Sequence, residues 1–297
     1  MDLTVHERAY RKNALSAPSS NKRERAVRSV RTGLVLSAAI AALMVAASVL
    51  GIVVDDLYQE GAWAREAFRG GDIVTLGVVV PVLVVALVQA RRGSVRAMVV
   101  WIGVLAYALY NYAYYVFGAS FNDAFLIHIA IFSSAILALV LAVSSLDVAA
   151  TAEQLRRPRL ARWIGVLLTL VGVGQGALWV FVIVRYAVTG EVLADIPVRG
   201  QHVVFALDLS LLVPALIVAG VLLWRRTAIG YVTAGVVSVM GSLVLLNLLL
   251  AAAFQANADV AGVKAFPPEG VAMTVGMVAS AALLLGRSTK RIGGNER

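Results

Sequence analysis

Eight apolar stretches, each about 20 residues long, alternate along the chain with short polar breaks. They fall roughly over 33–53, 72–90, 96–117, 123–145, 163–187, 201–225, 229–253 and 268–286. A helix needs about 20 apolar residues to cross the hydrocarbon of a bilayer, where every backbone N–H and C=O must be paired within the segment. The pattern therefore predicts an all-α integral membrane protein with eight transmembrane helices. It divides the chain into a basic, disordered cytoplasmic tail (1–32), helices one to four (33–145), a cytoplasmic linker (146–162), helices five to eight (163–286) and a cytoplasmic tail (287–297).

Composition agrees with that class. The 297 residues are 60% hydrophobic and 14% charged, and the mean hydropathy is +0.85. A soluble surface needs about a quarter charged residues. With no cysteine, the chain has no disulfide, thiol nucleophile, Cys-ligated zinc or iron–sulfur cluster. The net charge of +9 raises the question of nucleic acid, but its distribution answers otherwise. The N-terminal tail, the Arg91/Arg92/Arg96 turn, the Arg156–Arg162 loop, the Arg225-Arg226 turn and the C-terminal tail hold 21 of the 26 basic residues. The alternate loops carry acids instead, among them Asp55, Asp56, Glu60, Asp123, Glu191, Asp195 and Asp259. Such alternation implies that both termini are cytoplasmic and that the basic clusters are topology anchors beside anionic lipid. Nucleic acid is not an expected partner.

The two halves echo each other. Arg31-Thr-Gly33 enters the first span as Arg162-Trp-Ile-Gly165 enters the fifth, and Arg69-Gly70 precedes the second as Arg199-Gly200 precedes the sixth. Pro81 and Pro214 lie centrally in the second and sixth spans, which both end in an arginine pair. Leu109-x-Asn111 is followed twelve residues later by Asp123, and Leu245-x-Asn247 twelve residues later by Asp259. These echoes point to a 4+4 parallel internal repeat whose halves are related by an axis along the membrane normal. Pro81 and Pro214 become paired helix kinks that free backbone carbonyls.

Polar side chains within spans cost several kcal/mol unless they face the bundle or water, so they mark candidate sites. Tyr107, Asn111, Tyr114 and Tyr115 fall in span three, His128 in span four, Gln201, His202 and Asp208 in span six, and Asn247 in span seven. All but the deeper Tyr107 lie toward the acidic-loop ends, and Gln175 sits near the middle of span five, while the opposite halves are almost purely Ala, Val, Leu and Ile. That predicts a polar ligand-binding pocket opening outward over an apolar floor. Asp208 reads as the only acid well inside a span, with Arg185, Arg199, His202 and His128 as candidate partners. No two of His128, His202, Asp123 and Asp208 have a metal-ligand spacing, and no phosphate loop or hydrolase motif occurs, so neither a metal nor a cofactor is expected. Gly172, Gly174 and Gly176 predict a close helix contact.

The segment Leu109-Tyr110-Asn111-Tyr112, continuing through Phe117-Gly118-Ala119 to Asn122-Asp123, resembles a group of uncharacterised bacterial polytopic membrane proteins. The resemblance covers spans three and four and implies a bacterial plasma membrane, but no catalytic residues. Three functions fit the pattern. They are binding and transport of a small-molecule solute, an accessory or scaffold role beside a membrane-protein partner or second copy, and a membrane enzyme using His128 or Asp208 as base.

Overall fold

The structure, a computed structural model, describes the backbone of residues 20–191 and 198–286, and the side chains of 28–191 and 202–286. Among these residues nine helices follow in order. They are α1 (Ser20–Val53), α2 (Ala62–Arg91), α3 (Val95–Phe117), α4 (Phe125–Ser144), α5 (Val148–Leu155), α6 (Pro158–Thr189), α7 (from Val198 to Trp224), α8 (Ala228–Asn257) and α9 (Pro268–Leu285). All except α5 are long and apolar enough to cross a membrane. Their outward faces are hydrocarbon; on α6 alone Trp163, Leu170, Leu178 and Phe181 are exposed. A surface of that kind is stable against lipid and not against water. The chain is a multi-pass helical membrane protein.

Local chemistry sets the helix ends. The hydroxyl of Ser94 accepts from the Ala97 amide (3.3 Å), the Asp147 carboxylate from Ala150 (3.0 Å) and the Thr227 hydroxyl from Gly230 (3.1 Å), which caps α3, α5 and α8. Pro158 and Pro268 open α6 and α9 at positions where no N–H is needed. Gly190, at φ 72°, closes α6 in the left-handed conformation.

Three boundaries differ from the hydropathy pattern. Residues 20–32, expected in the disordered tail, are already helical in α1, whereas 1–19 and 287–297 lie outside the described residues. The linker 146–162 contains α5 and the first turn of α6. Most consequentially, α2 begins at Ala62 and not near 72. Its first turns carry charge that is locally paired: Arg65 with Glu66 at 3.2 Å, and Arg69 with Asp55 at 3.1 Å. A hydropathy window stops at such residues, but the backbone does not.

Both α2 and α7 contain a five-residue π-helical segment, Thr75–Val79 and Asp208–Leu212, each followed directly by Val-Pro. Proline removes one N–H from the ladder, and the wider turn before it accommodates the mismatch. A hydroxyl bonds back one turn in each, Thr75 to the Gly71 carbonyl (2.9 Å) and Ser210 to that of Ala206 (2.6 Å).

Helix α8 is the centre of the bundle and packs on α2, α3, α7 and α9. Close approach depends on small residues, as it does wherever lipid removes the hydrophobic drive between helices. A Cβ on Gly70 would stand 2.9 Å from the backbone of Ala251, and one on Gly103 2.7 Å from Val239. The α6–α7 pair is equally tight, because a Cβ on Gly165 would meet the Gly220 carbonyl at 2.7 Å. Gly172 and Gly176 also face α7, toward Ile217 and Val213, whereas Gly174 opens into space. The predicted glycine contact therefore involves two of its three residues. Trp101 fixes α3 to α1 by donating to the Ser37 hydroxyl at 2.8 Å.

Candidate functional site

A cavity of about 270 Å³ lies in the acidic-loop half of the bundle, enclosed by α2, α3, α6, α7 and α8. Asp208, at the start of the α7 π segment, is 2% exposed and carries the charge of its lining. One carboxylate oxygen accepts from the Tyr110 hydroxyl, and the other from Gln175 Nε2 and Trp179 Nε1, both at 2.7 Å. Gln175 and Trp179 are one turn apart on α6, so the same face presents both donors. Trp179 also packs its ring on Phe205, with centroids 4.4 Å apart.

In the same lining, Asn247 of α8 donates from its amide nitrogen to the amide oxygen of Asn111 on α3 at 2.9 Å. This leaves Asn111 Nδ2 and Asn247 Oδ1 buried in the wall without a protein partner. Aromatic rings complete the enclosure: Trp63 and Phe68 from α2, Tyr110, Tyr114 and Tyr115 from α3, Trp179 and Phe205. Gln255 supports the rim from α8 by donating to the Trp63 carbonyl at 2.7 Å.

Behind Phe68 a second buried acid occurs. Asp72 is 3% exposed and accepts from the Tyr58 hydroxyl at 2.7 Å. Burial first, and then the neighbouring carboxylate, hold the Tyr58 phenol well above its ordinary pKa, so it remains a proton donor. Tyr58 stacks on Phe68 with centroids 4.8 Å apart, and Phe68 packs on Tyr115 at 4.7 Å. The acid pair is thus one ring removed from the cavity.

Of the residues singled out from the sequence, Asn111, Tyr114, Tyr115, Asp208 and Asn247 line this one cavity. Tyr107, His128 and His202 do not. Tyr107 is fully buried one turn before Asn111 on α3, with its hydroxyl unpartnered. His128 is buried on α4 behind Tyr115, ring to ring at 4.7 Å. His202 is exposed on α7. Pro81 and Pro214 are outside the lining and act through the π turns ahead of them.

Two expectations about charge are corrected. Asp208 is not the only acid well inside a span, because the early start of α2 brings Asp72 within one. Nor does any of the anticipated described cations reach Asp208. Arg185 pairs with Glu191 at 2.6 Å, His128 and His202 lie elsewhere, and Arg199 falls outside the described side chains. The carboxylate is held by neutral donors instead. The sequence reading did not assign Trp179 to the site; the Gln175-x-x-x-Trp179 spacing was the available signal. Asp72 and Tyr58 gave none, since one lies within α2 and the other before it and only folding brings them into hydrogen-bond contact.

Among the described residues, no group of three or more His, Asp or Glu side chains is placed to hold a metal ion. Comparison of the chain with protein-family models, curated proteins and solved structures finds no match.

Proposed function

We propose that this membrane protein binds a small solute in the cavity between Asp208 and the Asn111–Asn247 pair, and in the stronger form of the reading carries it across the bilayer. One observation carries it. Polar side chains from α3, α7 and α8, distant in sequence, line a single cavity whose remaining walls are aromatic and aliphatic. Structural hydrogen bonds between helices need partners but not an enclosed space beside them.

The same reading takes the chain as two like-oriented halves of four spans. The matched π turns before Pro81 and Pro214 support it, as does the meeting of Asn111 with its sequence counterpart Asn247. In such an arrangement a site belongs where the halves meet. We take both termini as cytoplasmic and the membrane as a bacterial plasma membrane, so the cavity faces outward.

The competing reading is a scaffold subunit, for which Asp208 and the two asparagines are interhelical glue. It draws on the hydrogen bonds that each already makes within the protein. A thermal-stability screen of the purified protein against small solutes separates the two. The binding reading expects a stabilising solute whose effect is lost in Asp208→Asn; a library with no such solute favours the scaffold.

A further inference from the structure

The cavity has a chemical bias that narrows its ligand. Its lining contains one carboxylate, from Asp208, and no lysine, arginine or histidine. The same lining holds three tyrosines, two tryptophans and two phenylalanines, of which Tyr110 and Trp179 touch the carboxylate. Carboxylate and aromatic rings share one preference. Both attract a cation, and rings do so without demanding the hydrogen bonds that a hydrated ion would have to replace. An anion would meet the Asp208 carboxylate itself, and the donors on Gln175, Trp179 and Tyr110 are already spent on that carboxylate.

A second feature concerns the rest of the ligand. A wider space of about 680 Å³ lies between α6, α8 and α9, lined by Leu170, Val171, Leu178, Leu249, Met273 and neighbouring residues. Gln175, Trp179, Leu245 and Leu248 belong to its wall and also to that of the Asp208 cavity, so the two spaces adjoin there. Gly174 lines this groove, and a Cβ there would meet nothing within 4 Å. The groove carries no basic residue, and its one ionisable group is Glu269.

We infer that the ligand class is an amphiphilic organic cation, with its ammonium group among the aromatic rings beside Asp208 and its hydrocarbon portion running past Trp179 into the groove between α6, α8 and α9. The inference rests on the solute-binding reading above and adds the charge and shape of the solute.

Binding of tetramethylammonium, octyltrimethylammonium and the neutral tert-butyl isostere of the octyl compound would be measured calorimetrically on the full chain in lipid nanodiscs. Subtracting, probe by probe, the signal from protein-free nanodiscs removes the contribution of partition into lipid. The octyl cation is expected to bind at least about tenfold more tightly than its neutral isostere. Asp208→Asn should shrink that preference to about twofold. Should the Asn variant not fold, Tyr114→Leu tests the same preference through the aromatic wall, since a half-buried ring can be lost without orphaning a buried polar group. Gly174→Leu should lower the affinity ratio of octyl to tetramethyl cation severalfold by filling the groove. Equal binding of cation and neutral isostere would overturn the charge assignment while leaving solute binding intact. An unchanged octyl-to-tetramethyl ratio in Gly174→Leu would remove the groove from the proposal. Binding of none of the three probes, beside a stabilising solute of another class, would sink the inference alone; with no stabilising solute at all, the binding reading fails too.

Discussion

Helices α2 and α7 use the same backbone device and end with opposite results. Each runs into a five-residue π turn and then Val-Pro. Counting back eleven and ten residues from the proline reaches Gly70 and Gly71 on α2, and Val203 and Val204 on α7. The two glycines let α2 close on α8 until a single added carbon at Gly70 would meet the Ala251 backbone. On α7 the matching positions are valines; Val204, with Phe205 after it, lines the cavity beside α3. A shared backbone irregularity thus produces a seal where side chains are absent and a chamber where they are present. The acids follow the same division: Asp72 is closed against Tyr58, and Asp208 stands at an open wall.

Substitutions that trade one behaviour for the other test this contrast. The largest effect is expected from Gly70→Val, which overpacks the α2–α8 seal and should cost about 3 kcal/mol in unfolding free energy, against under about 1.5 kcal/mol for Val204→Ile on α7, whose added methylene meets the chamber. Equal losses at the two positions would remove the seal from the comparison. Tyr58→Phe leaves the Asp72 carboxyl buried without its phenol donor and should cost about 1–2 kcal/mol, read as a lowered Tm in the absence of ligand. Asn247→Leu breaks the pair with Asn111; interhelical hydrogen bonds in membranes average about 0.6 kcal/mol, so a loss near 1 kcal/mol is expected. A much larger loss would class the asparagines as structural glue. Gly174→Ala is the smallest change, with open space to receive the methyl and a gain of about 0.5 kcal/mol from helix propensity. A clear loss there would mean that the groove is packed.

The eight helices were legible in the chain because hydrocarbon imposes a one-dimensional rule: a segment either pairs its own backbone groups over about 20 apolar residues or does not cross. Asn111, Tyr114, Tyr115, Asp208 and Asn247 were legible for a related reason, since polar groups in lipid carry a cost that singles them out residue by residue. The donors to Asp208 were half legible, through the i, i+4 spacing of Gln175 and Trp179 on α6. His128 and His202 show the limit of that reasoning. Both were flagged by type and depth, yet one turns behind Tyr115 and the other faces outward.

The sequence by itself determined how many helices are long and apolar enough to span a membrane, roughly where most of them end and which of their residues are too polar for lipid. It could not determine which helix faces meet. That choice depends on small differences in side-chain volume summed over many contacts, such as glycine against valine at matched turns of α2 and α7. Only the folded bundle decided that Asn111 touches Asn247, that neutral donors and none of the described cations hold Asp208, and that Asp72 lies buried against Tyr58.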